Sequence, residues 1–208
     1  MSNDTGARPV PEGRLVLLRH GETEWSRAMK HTGLTDVPLT SAGEEAARRS
    51  APLLAEFDFG LVLVSPKERA RRTAELVGLT SSTVEPNLVE WDYGGYEGRT
   101  TTEIREELGY DWTVWEDGVV PGDSPGESIE QVAARARAVI DRVMPVLEEG
   151  KDVALVGHGH TNRVLTSVWL RTEPRFGAQL ELDAGSICVL AYERHFPSIA
   201  RWNQPAPA

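Results

Sequence analysis

The stretch Leu-Val-Leu-Leu-Arg-His-Gly-Glu-Thr, residues 15–23, joins an apolar run directly to a cation and an imidazole. Four consecutive aliphatic residues predict a strand that is buried on both faces, as in a parallel sheet. The run stops at Arg19 and His20. Because ligands of open α/β sheets bind beyond the carboxyl ends of the strands, we interpret these two side chains as candidates for binding and attacking an anion.

The composition is typical of a globular protein, since 40% of the 208 residues are hydrophobic and 26% are charged. The formal net charge of −10 argues against nucleic acid or an anionic membrane surface as a partner. The single cysteine, Cys188, excludes an internal disulfide and lies in an apolar run, which predicts a buried thiol. No apolar stretch approaches the roughly 20 residues that cross a bilayer. We predict a flexible N-terminal tail over residues 1–13, one domain over 14–208, and a cytoplasmic location.

Apolar runs alternate with amphipathic segments along the chain. The predicted strands are residues 15–18, 61–64, 152–156, 186–192 and 198–202, and predicted helices begin near residues 41, 66 and 128 and after residue 158. This alternation predicts an α/β fold with a mostly parallel central sheet and helices on both faces. Residues 90–126 are less regular and rich in tryptophan and tyrosine, and we expect them to form a small cap beside the site.

Two helix starts have capping signals. Ser128 with Gln131 predicts a capping box at the start of a long amphipathic helix, although Pro145 makes the last turn of that helix doubtful. Ser65, followed by Pro66 and by Glu68 three positions on, predicts a second capping box directly after an apolar strand.

Charged residues follow three of the predicted strands. Arg19 and His20 end the first, Arg69 lies just after the second, and His158 follows the strand at residues 152–156. A parallel sheet brings its carboxyl-end loops together, so these residues can converge. Arginine donors match phosphate oxygens, and a histidine can accept a phosphoryl group covalently. A carboxyl group could then protonate the leaving oxygen and later activate water.

Five motifs in order resemble those of the histidine phosphatase (phosphoglycerate mutase-like) superfamily, over about residues 14–202. They are Arg-His-Gly-Glu-Thr-Glu-Trp-Ser (19–26), His-Thr-Gly (31–33), Ser-Pro with Arg-Ala and Thr-Ala (65–74), Glu to Gly with Tyr-Gly between them (90–98), and His-Gly-His (158–160). The resemblance implies His20 as the nucleophile that becomes phosphohistidine and Glu90 as the proton donor, with Glu97 of the same motif as the competing choice for the acid. It implies Arg19, Arg69 and His158 as the phosphate pocket, and no metal or organic cofactor.

The same motifs imply which residues contact the substrate. Those positions are Thr23, Ser26, Thr32, Gly33, Tyr93, Gly159, His160 and Arg163, of which Arg163 is a candidate for a distal anionic group. The implied partner is a small phosphorylated metabolite. In addition, the predicted antiparallel edge at residues 186–202 could pair with a second copy to form a homodimer.

Four segments, residues 32–40, 90–98, 112–118 and 158–163, resemble signatures of the sugar-phosphatase branch that includes sedoheptulose-bisphosphatase-like enzymes and broad acid phosphatases. Mutases of the superfamily carry an adjacent arginine pair in an insertion after the acid-bearing motif, and no such pair occurs between Glu90 and His158. Ser26, Thr101 and His160 also differ from the mutase pattern. The residues alone leave three alternatives open: a phosphoglycerate mutase, a phosphoprotein or phosphohistidine phosphatase, and a non-catalytic protein with this fold.

Overall fold

The computed structural model of the chain describes residues 10–207, and six strands in this range form one sheet. The strands are β1 (Leu15–Arg19), β2 (Phe59–Val64), β3 (Thr83–Val84), β4 (Asp152–Gly157), β5 (Ile187–Glu193) and β6 (Phe196–Gln204). Their order is β3-β2-β4-β1-β5-β6. The first four are parallel to one another, whereas β5 and β6 are antiparallel to their neighbours. The predicted mostly parallel sheet is confirmed.

Helices cover both faces of this sheet, as predicted. They are α1 (Glu24–Arg27), α2 (Ser41–Leu54), α3 (Glu68–Leu76), α4 (Thr101–Leu108), α5 (Ile129–Glu148) and α6 (Gly159–Trp169). Side chains alternate between faces along a strand. Leu15 and Leu17 of β1 therefore pack with α5 and α6 in one core, while Val16 and Leu18 pack with α2 and α3 in another.

The long helix α5 begins as the sequence predicts. The Ser128 hydroxyl accepts a hydrogen bond from the Gln131 N–H, and the Gln131 side chain accepts one from the Ser128 N–H. The apolar face of α5 is buried against the sheet. The doubt about the last turn is resolved in favour of the helix, which passes through Pro145 to Glu148. Pro145 is exposed, so the carbonyl that loses its intrahelical partner faces water.

The prediction of a capping box at Ser65 is wrong. Helix α3 begins at Glu68, and Lys67, which precedes it, makes no side-chain cap. The Glu68 N–H instead donates to the carboxylate of Asp36, at 2.9 and 3.1 Å from its two oxygens. Asp36 lies in a loop 32 positions earlier in the chain, so a tertiary contact supplies the acceptor that local sequence was expected to provide. The Ser65 hydroxyl is left for another partner.

Residues 90–126 form the expected aromatic cap. Trp91, Tyr96, Trp112 and Trp115 are buried in a cluster with Ile104 of α4, the start of α5 and Val164 of α6. The rings of Tyr96 and Trp112 meet edge to face, with centroids 4.9 Å apart. This cluster fixes the cap against the carboxyl edge of the sheet.

The N-terminal segment is described only in part. Residues 1–9 of the predicted tail lie outside the described residues. Of the remainder, Pro11 and Gly13 are buried, and the Gly13 N–H donates to the Leu147 carbonyl at 3.1 Å. The division into a tail and one domain stays a prediction. Between residues 10 and 207, none of the helices is both long and apolar enough to cross a membrane.

We predict that Ser128→Ala lowers the free energy of unfolding by about 1 kcal/mol, because an amide at the start of α5 loses its acceptor. Urea denaturation followed by circular dichroism measures this change. The control is Ser81→Ala, which changes an exposed loop serine. Equal stabilities for Ser128→Ala and the wild type would contradict the assigned cap.

Candidate active site

Three neighbouring parallel strands, β2, β4 and β1, end at the same edge of the sheet and bring the predicted residues together. Arg19 is the last residue of β1, His20 follows it, and His158 follows β4. The rings of His20 and His158 lie edge to face, with centroids 5.1 Å apart. A cavity of about 950 Å³ opens over this edge, and Arg19, His20 and Glu90 line it.

His20 has the protonation state of a nucleophile. Its Nδ1 lies 2.7 Å from the carbonyl oxygen of Gly21, so Nδ1 carries the hydrogen and Nε2 carries the lone pair. Burial, followed by the positive charges of Arg69 and Arg19, lowers the pKa of His20 to about 3. The imidazole is therefore neutral at every pH at which the protein is expected to work.

Arg19 presents an unused donor beside His20. One guanidinium nitrogen donates to the Leu182 carbonyl at 2.5 Å, but Nε is buried without a partner among residues 10–207. Gly159 makes room for this group, because a Cβ at that position would lie 3.3 Å from the guanidinium carbon. A buried cationic donor without an acceptor fits an anion bound at this point.

Arg69 and His158 support the site from behind the cavity wall. The Arg69 side chain is fully buried. Its terminal nitrogens donate to the carbonyls of Thr35, Thr32 and Gly33 at 2.8 to 3.0 Å, and its Nε donates to His158 Nδ1 at 3.2 Å. Neither residue lines the cavity, so the predicted phosphate pocket has Arg19 at its surface and Arg69 beneath.

Glu90 lines the cavity and is held by the first turn of α6. Its carboxylate accepts hydrogen bonds from the N–H groups of His160 and Thr161 at 3.0 and 2.9 Å, and from the Thr161 hydroxyl at 3.1 Å. The amides of a helix N-terminus have no intrahelical acceptor, so Glu90 supplies one. The competing Glu97 binds the N–H groups of Gly33 and Thr35 and does not line the cavity.

The predicted substrate contacts divide into two groups. Those that line the cavity are Ser26, Thr32, Tyr93, Gly159, His160 and Arg163. Thr23 and Gly33 do not. The Thr23 hydroxyl is buried and caps α1, while Gly33 binds Glu97 through its N–H and Arg69 through its carbonyl. Their roles are therefore to shape the loops that carry the other contacts.

The inner wall of the cavity also contains a residue that the sequence reasoning missed. His31 packs 4.7 Å from the Tyr93 ring, centroid to centroid, and the Tyr93 hydroxyl lies 2.7 Å from His160 Nδ1. Burial lowers the pKa of His31 to about 4 and holds that of His160 well below its ordinary value. The sequence offered one signal for His31, since it directly precedes Thr32 in the His-Thr-Gly motif at residues 31–33.

Four further cationic side chains line the cavity, although the chain as a whole is acidic. Arg27, Lys30, Arg49 and Arg105 line it and were not predicted. In the part of the chain that the structure describes, no group of three or more His, Cys, Asp or Glu side chains is arranged to hold a metal ion.

The fold and the site together define an α/β protein with a buried arginine–histidine site for an anion. The chain belongs to the histidine phosphatase superfamily (branch 1), whose family model matches residues 15–205. It is a phosphatase of that superfamily, as its similarity to the following relatives also shows.

Two curated relatives and one solved structure are similar over most of their length. The acid phosphatase of Mycobacterium tuberculosis is 39% identical over 193 residues, which are 92% of this chain and 92% of the relative. The sedoheptulose 1,7-bisphosphatase of Saccharomyces cerevisiae is 34% identical over 185 residues, which cover 75% of this chain and 67% of the relative. A solved structure from M. tuberculosis has a TM-score of 0.87 at 37% identity and covers 94% of this chain and 99% of the other. Matches also include 2,3-bisphosphoglycerate-dependent phosphoglycerate mutases.

The buried neutral histidines predict a loss of stability in mild acid. An unfolded histidine binds a proton below a pKa of about 6.5, whereas His20 and His31 stay neutral in the fold down to about 3 and 4. The unfolded state therefore binds more protons, and the free energy of unfolding falls as the pH drops below 6.5. Near pH 5.5 we expect each such histidine to contribute a slope of about 1 kcal/mol per pH unit.

Urea denaturation between pH 7.5 and 5 tests this slope. His31→Gln should reduce it by about the share of one histidine. An unchanged slope in His31→Gln would show that His31 is protonated in the folded protein.

Proposed function

We propose that this phosphatase hydrolyses small phosphorylated metabolites, such as sugar phosphates, through a phosphohistidine at His20. The observation that supports this most directly is a neutral His20, with the lone pair on Nε2, beside an Arg19 donor that has no partner among residues 10–207. The first is a nucleophile and the second a donor for a phosphoryl oxygen.

In the first step, His20 Nε2 attacks the phosphorus of the bound ester. The N–P bond forms while the bond from phosphorus to the ester oxygen breaks. Glu90 gives its proton to the departing oxygen, which leaves as an alcohol. Arg19 binds the phosphoryl oxygens through its free donor, and Arg69, fixed beneath by three carbonyl groups, adds positive charge close to the reacting atoms.

In the second step, water attacks the phosphohistidine. Glu90, now a carboxylate, takes a proton from that water, the P–O bond forms and the N–P bond breaks. Inorganic phosphate leaves and His20 returns to its neutral state. The same carboxyl group thus acts first as an acid and then as a base.

The walls of the cavity support a hydroxylated substrate. Beyond the phosphate position they present neutral polar groups, including those of Thr32, Tyr93 and His160, which can exchange hydrogen bonds with hydroxyl groups. The relatives named acid phosphatase and sedoheptulose 1,7-bisphosphatase fit such a substrate. We propose that Arg163 binds a distal anionic group. Its guanidinium stacks over Trp115 at 4.6 Å and, among the described residues, has no carboxylate partner within 4.0 Å.

Hydrolysis fits the cavity better than phosphoryl transfer between substrates. Ser26, Thr101 and His160, the three positions that depart from the mutase pattern, all line the cavity. The differences from the mutase pattern therefore lie in the wall of the cavity itself. We also propose a cytoplasmic location, which cell fractionation would test. We further propose a homodimer formed through the edge strand β6, which sedimentation equilibrium would test.

We expect brief exposure to a phosphomonoester to leave acid-labile, base-stable phosphate on His20, because imidazole forms an N–P bond. His20→Ala should lose both the label and turnover. With 3-phosphoglycerate, inorganic phosphate should appear faster than the isomer. The exposed His195, outside the cavity, supplies the control His195→Ala, which should keep both label and rate. Near-normal activity in His20→Ala would show that another group is the nucleophile.

Glu90→Gln should lower turnover of alkyl phosphates by roughly 10²- to 10⁴-fold, the usual contribution of a positioned general acid. The phosphorylation step with p-nitrophenyl phosphate should fall much less, because that leaving group hardly needs a proton. Single-turnover bursts separate this step from hydrolysis of the phosphoenzyme. The matched control Glu97→Gln should show no dependence on the leaving group, and an equal loss for both esters in the phosphorylation step of Glu90→Gln would assign Glu90 a purely structural role.

A further inference from the structure

Both ring nitrogens of His158 have partners in the structure. Arginine can only donate hydrogen bonds, so the Nδ1 atom that receives Arg69 Nε at 3.2 Å must carry the lone pair. The hydrogen of the neutral ring is then on Nε2, which lies 2.7 Å from the Ser65 hydroxyl oxygen. Burial and the charge of Arg69 hold the pKa of His158 well below its ordinary value, which keeps the ring neutral.

Ser65 is well placed to hold this ring. It follows β2 directly, its side chain is fully buried, and its N–H donates to the Val156 carbonyl of β4 at 2.9 Å. The hydroxyl is not used as the cap of α3. The Lys67 N–H is 3.4 Å away, at the long limit for a hydrogen bond. His158 is therefore the closest partner that the structure gives to the Ser65 side chain.

We propose that Ser65 is a positioning residue that fixes the tautomer of His158 and, through it, the orientation of Arg69. If Nδ1 carried the hydrogen, the ring would place an N–H against the N–H of Arg69 Nε. The Ser65 hydroxyl accepts the hydrogen on Nε2, which keeps the Nδ1 lone pair directed at Arg69. The other donors of Arg69 bind carbonyl oxygens of the loop at residues 32–35. The positive charge of the site then stays on the arginines and not on the imidazole.

The expected effect of Ser65 on kcat/KM rests on the proposed hydrolysis at His20, whereas its effect on the His158 tautomer does not. Ser65→Ala leaves the buried Nε2–H of His158 without an acceptor, which in proteins costs enough to change a rate constant by about 10- to 100-fold. We expect kcat/KM to fall by that factor and the Kd for inorganic phosphate to rise. Ser50→Ala, which removes another buried serine hydroxyl that donates to the Ala46 carbonyl within α2, should leave kcat/KM unchanged.

Two measurements separate positioning from a general loss of structure. Nitrogen-15 NMR of labelled histidine should show the Nε2–H tautomer of His158 in the wild type and altered ring shifts in Ser65→Ala. In a His158→Ala background, Ser65→Ala should change kcat/KM by less than about twofold, because coupled positions are not additive. The same loss in both backgrounds, an Nδ1–H tautomer in the wild type, or unchanged kcat/KM in Ser65→Ala would overturn the proposal.

These readouts also distinguish the inference from the proposed function. If the wild type hydrolyses no phosphomonoester, the proposed function fails, while the tautomer and the phosphate affinity still test Ser65. If hydrolysis occurs at His20 and Ser65→Ala leaves the ring shifts of His158 unchanged, the proposed function stands and the role of Ser65 is wrong.

Discussion

The fully buried guanidinium of Arg69 is the interaction on which the site depends. A charge removed from water is costly unless hydrogen bonds surround it. Arg69 donates such hydrogen bonds to three carbonyl oxygens of residues 32–35 and to His158 Nδ1. The loop after α1, the start of α3 and the end of β4 must therefore meet at one point, and Asp36 links the loop to α3 a second time through the Glu68 N–H.

This arrangement places positive charge within an acidic protein without making the histidines cationic. His20 and His158 are buried beside Arg69 and Arg19, and both causes lower their pKa values. A neutral His20 keeps the lone pair that a nucleophile needs, while the arginines supply donors for an anion. Glu90 is held by N–H groups in the first turn of α6, which have no intrahelical acceptor. Helix geometry thus positions the Glu90 carboxylate, and burial sets the protonation state of His20.

Much of the architecture could be predicted because it follows from local pattern. Buried strands show as aliphatic runs, and the Ser128 capping box together with the apolar face defines α5. Ser65 shows where local pattern fails. The same three-residue spacing is present, with Glu68 where the α5 box has Gln131, but Asp36 caps α3 and His158 binds the serine. A serine hydroxyl can either cap the next helix or bind a residue that is distant in sequence. The fold decides between the two, since local spacing does not reveal the distant partner.

The sequence by itself determined the sheet class, the helices on both faces, the aromatic cap and the superfamily, because periodicity and ordered motifs are properties of the chain. It also identified Arg19, His20 and Glu90 as candidate site residues, and the structure brings all three to one cavity. The packing of distant segments settles that Glu97 binds backbone N–H groups outside the cavity lining, that Arg69 and His158 do not line the cavity, and that His31 does. The physical reason is that cavity walls are made by segments distant in sequence, so the direction of a side chain depends on partners that no local spacing specifies.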